Sequence, residues 1–146
     1  MFVTLDTNTL ASGALSTEGS PPTLILNAWR EGRFTLVVST DILTELERTL
    51  AKPYFASHIP ATETVALKAL LLQYAVLAPV SGKVSGVASH KEDDLILEAA
   101  VAGKATYLVT GDAQLQRLET FQGVHILSPR QFQALLPKIE NGGGDA

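Results

Sequence analysis

The chain has 146 residues, 46% apolar and 18% charged, with no cysteine and a formal net charge of −4. That length and apolar content predict a single domain with a real core and exclude a fully disordered chain. The lack of cysteine excludes disulfides, thiolate zinc sites and cysteine nucleophiles, and the acidic balance excludes a loose grip on nucleic-acid backbone, which needs surplus Lys and Arg. A nucleic-acid enzyme stays open, because an acidic pocket neutralised by a divalent metal differs in local charge from the bare chain.

Phe2-Val3-Thr4-Leu5 is a short apolar or β-branched run that ends in Asp6, the pattern of a buried strand in a parallel sheet. Asp6 then lies at the carboxyl edge, where open α/β sheets bind ligands. Thr7-Asn8-Thr9-Leu10 reads as a strand-to-helix turn with a Thr or Asn N-cap. Ser16–Pro22 is a loop by composition, and Thr23 caps a helix through Leu24, Ile25, Ala28 and Trp29 that ends near Gly32. Phe34–Val38 is the second strand. Ser39 or Asp41 caps a helix with Ile42, Leu43, Leu46 and Leu50 on one face, ended by Lys52-Pro53.

Pro60-Ala61-Thr62 opens a long helical pattern. Val65, Ala69, Leu72 and Val76 form one stripe, widened by Leu67, Leu70, Leu71 and Tyr74. A helix apolar over so much of its circumference is expected to be buried on more than one side, in the core or against a second copy. Val65–Leu77 is also the longest apolar region, but Lys68 and Gln73 interrupt it and it is too short to span a bilayer. With no signal-peptide pattern either, the expected location is the cytoplasm, with no membrane contact.

Pro79–Ser89 is a Gly/Ser-rich connection leading to Lys91-Glu92-Asp93-Asp94 and a helix over Leu95–Ala102, closed by Gly103. Thr106–Val109 is a strand followed by Thr110-Gly111-Asp112, then a short helix over Ala113–Leu118 and a strand over Val124–Leu127. Ser128-Pro129 supplies an N-cap and N1, with Gln131 placed for a capping box. Residues 139–146 are expected as a disordered tail after one domain over 1–138. The βα alternation predicts an α/β fold, a parallel sheet with helices on both faces.

Asp6 and Asp112 each directly follow an apolar strand, so a parallel sheet places both at one edge. Asp94 heads a helix, and Glu45 stands one turn into the helix after the second strand. Clustered carboxylates repel each other, and a hard divalent cation is the usual compensation; oxygen-only ligands select magnesium or manganese over zinc. Such an ion lowers the pKa of a bound water and stabilises charge on a phosphoryl group. Taken singly, each acid has a plainer reading. Asp6 initiates a turn, Glu45 is a solvated helix acid, Asp112 caps the next helix, and Asp93 and Asp94 are caps worth about 0.3–1 kcal/mol with the helix dipole. If the acids cluster, Asp6→Asn raises metal-free stability by relieving repulsion.

His58, His90 and His125 make no spaced ligand set, and His90, three residues before Asp93, is read as incidental. Lys91 and Arg117 fall near the proposed mouth, and Arg30, Arg33, Arg48 and Lys52 form a basic surface along two helices.

Asp6-Thr7-Asn8, Glu45-Leu46, Asp94-Leu95-Ile96-Leu97-Glu98-Ala99-Ala100 and Thr110-Gly111-Asp112, in this order and spacing, resemble the PIN-domain ribonucleases. More narrowly, the chain is similar to the bacterial PIN-family toxins of toxin–antitoxin pairs, from Phe2 to about Leu136. The resemblance implies a three-layer α/β/α sandwich with a central parallel sheet and a Mg2+- or Mn2+-dependent endoribonuclease acting on RNA. It implies Asp6, Glu45, Asp94 and Asp112 as catalytic acids, with Asp6, Asp94 and Asp112 on the metal. Asp94, rather than Asp93, is in step with the helix that follows, which leaves Asp93 as an outer-sphere helper. Asn8 and Thr110 match positions that support the acids by hydrogen bonds. Many relatives carry a further Asp where this chain has Gln114, so one firm ion is expected, with a weaker second site filled with substrate. A homodimer and a small antitoxin whose tail enters the pocket are implied as partners.

Two other functions compete. A haloacid-dehalogenase-like phosphatase also opens on a strand ending in Asp, but needs a second carboxylate where this chain has Asn8. A non-catalytic PIN-like module would keep the fold and dock a protein partner.

Overall fold

Six strands form one sheet in the order β3-β2-β1-β4-β6-β5. They are β1 (Phe2–Leu5), β2 (Thr35–Val38), β3 (Val76–Leu77), β4 (Tyr107–Val109), β5 (Thr120–Phe121) and β6 (Val124–Leu127). The computed structural model describes residues 1–80, 84, 86–88 and 91–143. Val3 pairs with Leu36 on one side and Tyr107 on the other, both in parallel register. Val3, Leu5, Leu36, Leu108 and Val109 have no exposed surface, and burying each such side chain contributes about 1.5–3 kcal/mol. That burial is why the short apolar runs form strands.

The helices are α1 (Thr7–Ala14), α2 (Pro21–Arg30), α3 (Thr40–Leu50), α4 (Pro53–His58), α5 (Ala61–Tyr74), α6 (Lys91–Ala102), α7 (Ala113–Arg117) and α8 (Pro129–Gly143). They flank the sheet in a three-layer α/β/α sandwich, as expected. α6 packs on β1, β2 and β4, while α2 packs between α1 and α8. Phe132 of α8 is fully buried and meets Phe34 edge-on at 5.5 Å.

The sheet order positions the site. From β1 the chain builds outward to β2 and β3, then returns to lay β4 on the other side of β1. The order therefore reverses between β1 and β4, and a crevice opens outside their carboxyl ends.

Several elements differ from expectation. α2 begins at Pro21, capped by Ser20, whose hydroxyl accepts from Thr23 N at 3.3 Å; prolines at N1 and N2 lack only N–H groups that the first turn leaves unpaired anyway. Pro53 likewise starts α4 as well as following α3. The sheet is not wholly parallel: β5 runs antiparallel to β6 around Gln122 and Gly123, both at positive φ (46° and 85°), as tight hairpins require. Gly103 is needed for close approach, since a Cβ there would collide with Val37 Cγ1, while Lys104 takes the left-handed conformation at φ 57°.

α5 departs most. Only Leu67 and Leu71 are buried, whereas Val65 is 66% and Leu72 76% exposed. The expected burial within this chain is wrong because α5 precedes the edge strand β3, and no other element among the described residues covers its outer face. Val76 belongs to β3, not to the helical stripe.

The capping box of α8 forms, with Gln131 N donating to Ser128 Oγ at 3.1 Å and Ser128 N to Gln131 Oε1 at 2.8 Å. α8 continues to Gly143, so residues 139–143 of the expected tail are helical, because extending a nucleated helix costs far less than starting one. His90 and residues 144–146 lie outside the described residues. No helix among the described residues is long and apolar enough to cross a membrane.

Candidate active site at the carboxyl edge of the sheet

Asp6 joins β1 to α1. Its backbone stays extended while its Oδ1 caps α1 by accepting from Thr9 N at 2.7 Å. Its Oδ2 accepts from Thr110 Oγ1 at 2.6 Å and from Gly111 N at 3.3 Å. Residues more than a hundred positions away in sequence thus fix this carboxylate, because β1 and β4 are neighbours. Only 6% of Asp6 is exposed.

Thr110 couples two acids. Its fully buried hydroxyl donates to Asp6 Oδ2 and accepts from Asp112 N at 3.0 Å. Gln116 Nε2 donates to Thr110 O at 2.7 Å and secures the end of β4. Asp112 caps α7, its Oδ1 accepting from Leu115 N at 2.9 Å. Asp6 itself, rather than the expected Thr or Asn, caps α1, because its carboxylate reaches Thr9 N. Asp112 caps α7 as its plain reading has it, and both caps coexist with placement at one cleft.

That cleft has a volume of about 490 Å³. Asp6, Glu45, Asp93 and Asp112 line it, with Asn8 and Lys52 at its polar wall. Glu92 faces the same space, and Ile96 adds an apolar patch. Glu45 projects from α3, where Arg48 Nη1 approaches its Oε2 to 3.5 Å in a solvent-exposed pair.

Asp94 does not line the cleft. Its Oδ2 accepts from Gly86 N at 2.9 Å, and its Oδ1 from Val87 N at 3.1 Å and Ala88 N at 2.7 Å. One turn on, Glu98 Oε1 accepts from Val84 N at 3.0 Å. Asp94 and Glu98 are both buried. They clamp the connection before α6 by satisfying backbone donors that would otherwise be costly to bury. Asp93, one residue earlier on α6, turns to the cleft instead.

Gln114 also stands apart. It is exposed and lines a neighbouring groove with Val87, Ala88 and Arg117. Lys52, Thr49 and Glu92 line the cleft although no motif in the sequence singled them out for it. Thr49 and Lys52 follow Glu45 at helical spacing, a signal that could have placed them.

The donor set suits a hard divalent cation by its chemistry: carboxylate oxygens and no sulfur. Among the described residues, no three His, Asp or Glu side chains stand close enough to hold an ion as they are. The acids ring the cleft, and part of the capacity of Asp6 and Asp112 is already engaged by N–H and O–H donors.

Comparison with known proteins agrees with this architecture. A family model described as "PIN domain" matches residues 3–114. The chain belongs to the PIN-domain family, whose members are generally nucleases. Among solved structures it is similar to a chain in the crystal structure of VapBC2 from Rickettsia felis bound to a DNA fragment from their promoter. That match has a TM-score of 0.57 at 18% identity and covers 88% of this chain and 98% of the other. No curated protein matches this sequence. Family membership sets the haloacid-dehalogenase-like phosphatase aside.

Proposed function

We propose that this protein is a metal-dependent endoribonuclease, the toxin of a cytoplasmic toxin–antitoxin pair. The observation that carries the reading is the meeting of Asp6, Glu45, Asp93 and Asp112 at one cleft on the β1/β4 switch point of a PIN domain. The likeness of fold to a chain of VapBC2, a complex bound to a promoter DNA fragment, supports an antitoxin partner for this chain by analogy.

Asp6, Asp93 and Asp112 would hold one Mg2+ or Mn2+. Asp93 replaces Asp94 in this set because Asp93 lines the cleft, whereas Asp94 turns to the connection before α6, where three backbone N–H groups donate to it. When bound, such an ion would polarise a phosphoryl oxygen and lower the pKa of a bound water. Thr110 holds Asp6 and the backbone of Asp112 in fixed relation, and rigid support of this kind keeps ligands oriented. Glu45, on the opposite wall, is placed to accept a proton from an attacking water. Lys52 attracts the substrate phosphate into an otherwise acidic cleft. Gln114 lies in the next groove, which supports one firm ion rather than two.

The exposed apolar side chains of α5 support a homodimer through that face, since large exposed patches mark interaction surfaces. The non-catalytic module is the rival for the whole molecule. The deciding experiment is cleavage of a mixed single-stranded RNA pool with manganese, magnesium or chelator, using antitoxin-free protein. Metal-dependent cutting that Asp93→Asn abolishes and Asp94→Asn retains is expected. A folded wild-type chain that cuts no RNA with either metal would sink the reading.

A further inference from the structure

α4 buries none of its residues, yet its rings are held in place. Tyr54, 60% exposed, stacks on His58 with ring centroids 4.8 Å apart at 30°. Phe55 meets the Tyr54 ring edge-on at 5.3 Å and packs against the core. His58 Nδ1 lies 2.6 Å from Tyr54 O and 3.1 Å from Ser57 Oγ. The pair is therefore pre-organised, which lowers the entropy lost when a flat ligand binds.

A single exposed aromatic needs no explanation; its position here asks for one. Lys52, the N-cap of α4, lines the acid cleft. Tyr54 follows two residues later, its Cα at most about 7 Å away. Thr44, Glu45, Arg48, Thr49 and Lys52 recur at helical spacing and line either the cleft or the adjoining groove of about 180 Å³. One face of α3 and the residue that caps α4 thus run from the acids to Lys52, two residues before Tyr54. Among the described residues Lys52 makes no ion pair.

We propose that the Tyr54–His58 ring stack is a subsite for one unpaired base of an RNA strand whose phosphate enters the acid cleft past Lys52. This rests on the nuclease reading. An acidic chain cannot hold a strand by backbone charge alone. Base stacking on aromatics is independent of net charge and tolerant of sequence, so it supplies affinity where phosphate contacts are few.

The test is binding of a short fluorescent single-stranded oligoribonucleotide, with magnesium, to Asp93→Asn protein with and without Tyr54→Ala. Removing the ring should weaken binding about 5- to 100-fold. Tyr54→Trp should retain it, and His58→Ala should give a smaller loss. Equal affinity with and without the Tyr54 ring, or no binding by the parent, overturns the subsite; the first result would leave the rings to a protein partner. Cleavage by the wild type is scored separately. Loss of stacking affinity in a protein that cuts no RNA would overturn the nuclease reading and keep the subsite.

Discussion

Asp93 and Asp94 are neighbours in sequence and serve opposite sides of α6. On the front, Asp93 joins Asp6, Glu45 and Asp112 around an open cleft. On the back, Asp94 and Glu98 collect four backbone N–H groups from the connection that precedes the helix. Both regions are rich in carboxylate, but they face different surroundings: the back is closed over by backbone, and the front opens to solvent. An acid saturated by backbone N–H groups stabilises the chain; acids gathered around an open cleft can take a cation from outside.

The largest expected effect breaks the front. Asp93→Asn should lower kcat for RNA cleavage about 100-fold or more, since one electrostatic contributor to a phosphoryl-transfer site is commonly worth that much. Asp94→Ala should break the back instead. Three N–H groups lose their acceptor, for a loss of about 1–3 kcal/mol in urea unfolding. Metal affinity should change far less than in Asp93→Asn. If the two substitutions exchange these effects, the assignment of front and back is reversed.

Smaller effects sharpen the contrast among the cleft acids. Asp112→Asn keeps the α7 cap, because asparagine caps as well as aspartate, and removes one charge from the cluster. Metal-free stability should rise by about 0.2–1 kcal/mol. Asp6→Asn should lower it, contrary to the sequence-based expectation. Asp6 accepts three hydrogen bonds, two of them from the β4 end, and bonds to a charged acceptor are worth about 1.5–3 kcal/mol each. Both are read by urea unfolding in chelator. Leu72→Asp should have the smallest effect on the fold, within about 0.5 kcal/mol, because Leu72 is 76% exposed. It should nonetheless convert a dimer to a monomer in light scattering; a wild-type monomer would refute the α5 interface.

The strand ends were legible because their signals are local. An apolar run that stops at Asp6, and another that stops at Thr110-Gly111-Asp112, place both acids at one edge once the sheet is parallel. Glu45 followed from its place one turn into the helix after the second strand, and Ser128 with Gln131 announced their own cap. The resemblance to PIN domains drew on these same residues. The choice between Asp93 and Asp94 was different. Successive residues on a helix point about 100° apart, so a slip of one position turns the wrong acid to the cleft. The slip is invisible in sequence, because it depends on how the preceding connection meets α6.

Short-range chemistry alone therefore dictates the four longer strand runs, the Ser39 and Ser128 caps, and that acids stand at strand ends. Which carboxylates share the cleft, and which are filled by backbone donors, emerged only when the elements packed together. The same packing left the outer face of α5 uncovered. Each of these depends on contact between segments distant in the chain, and neither periodicity nor capping rules carry that information.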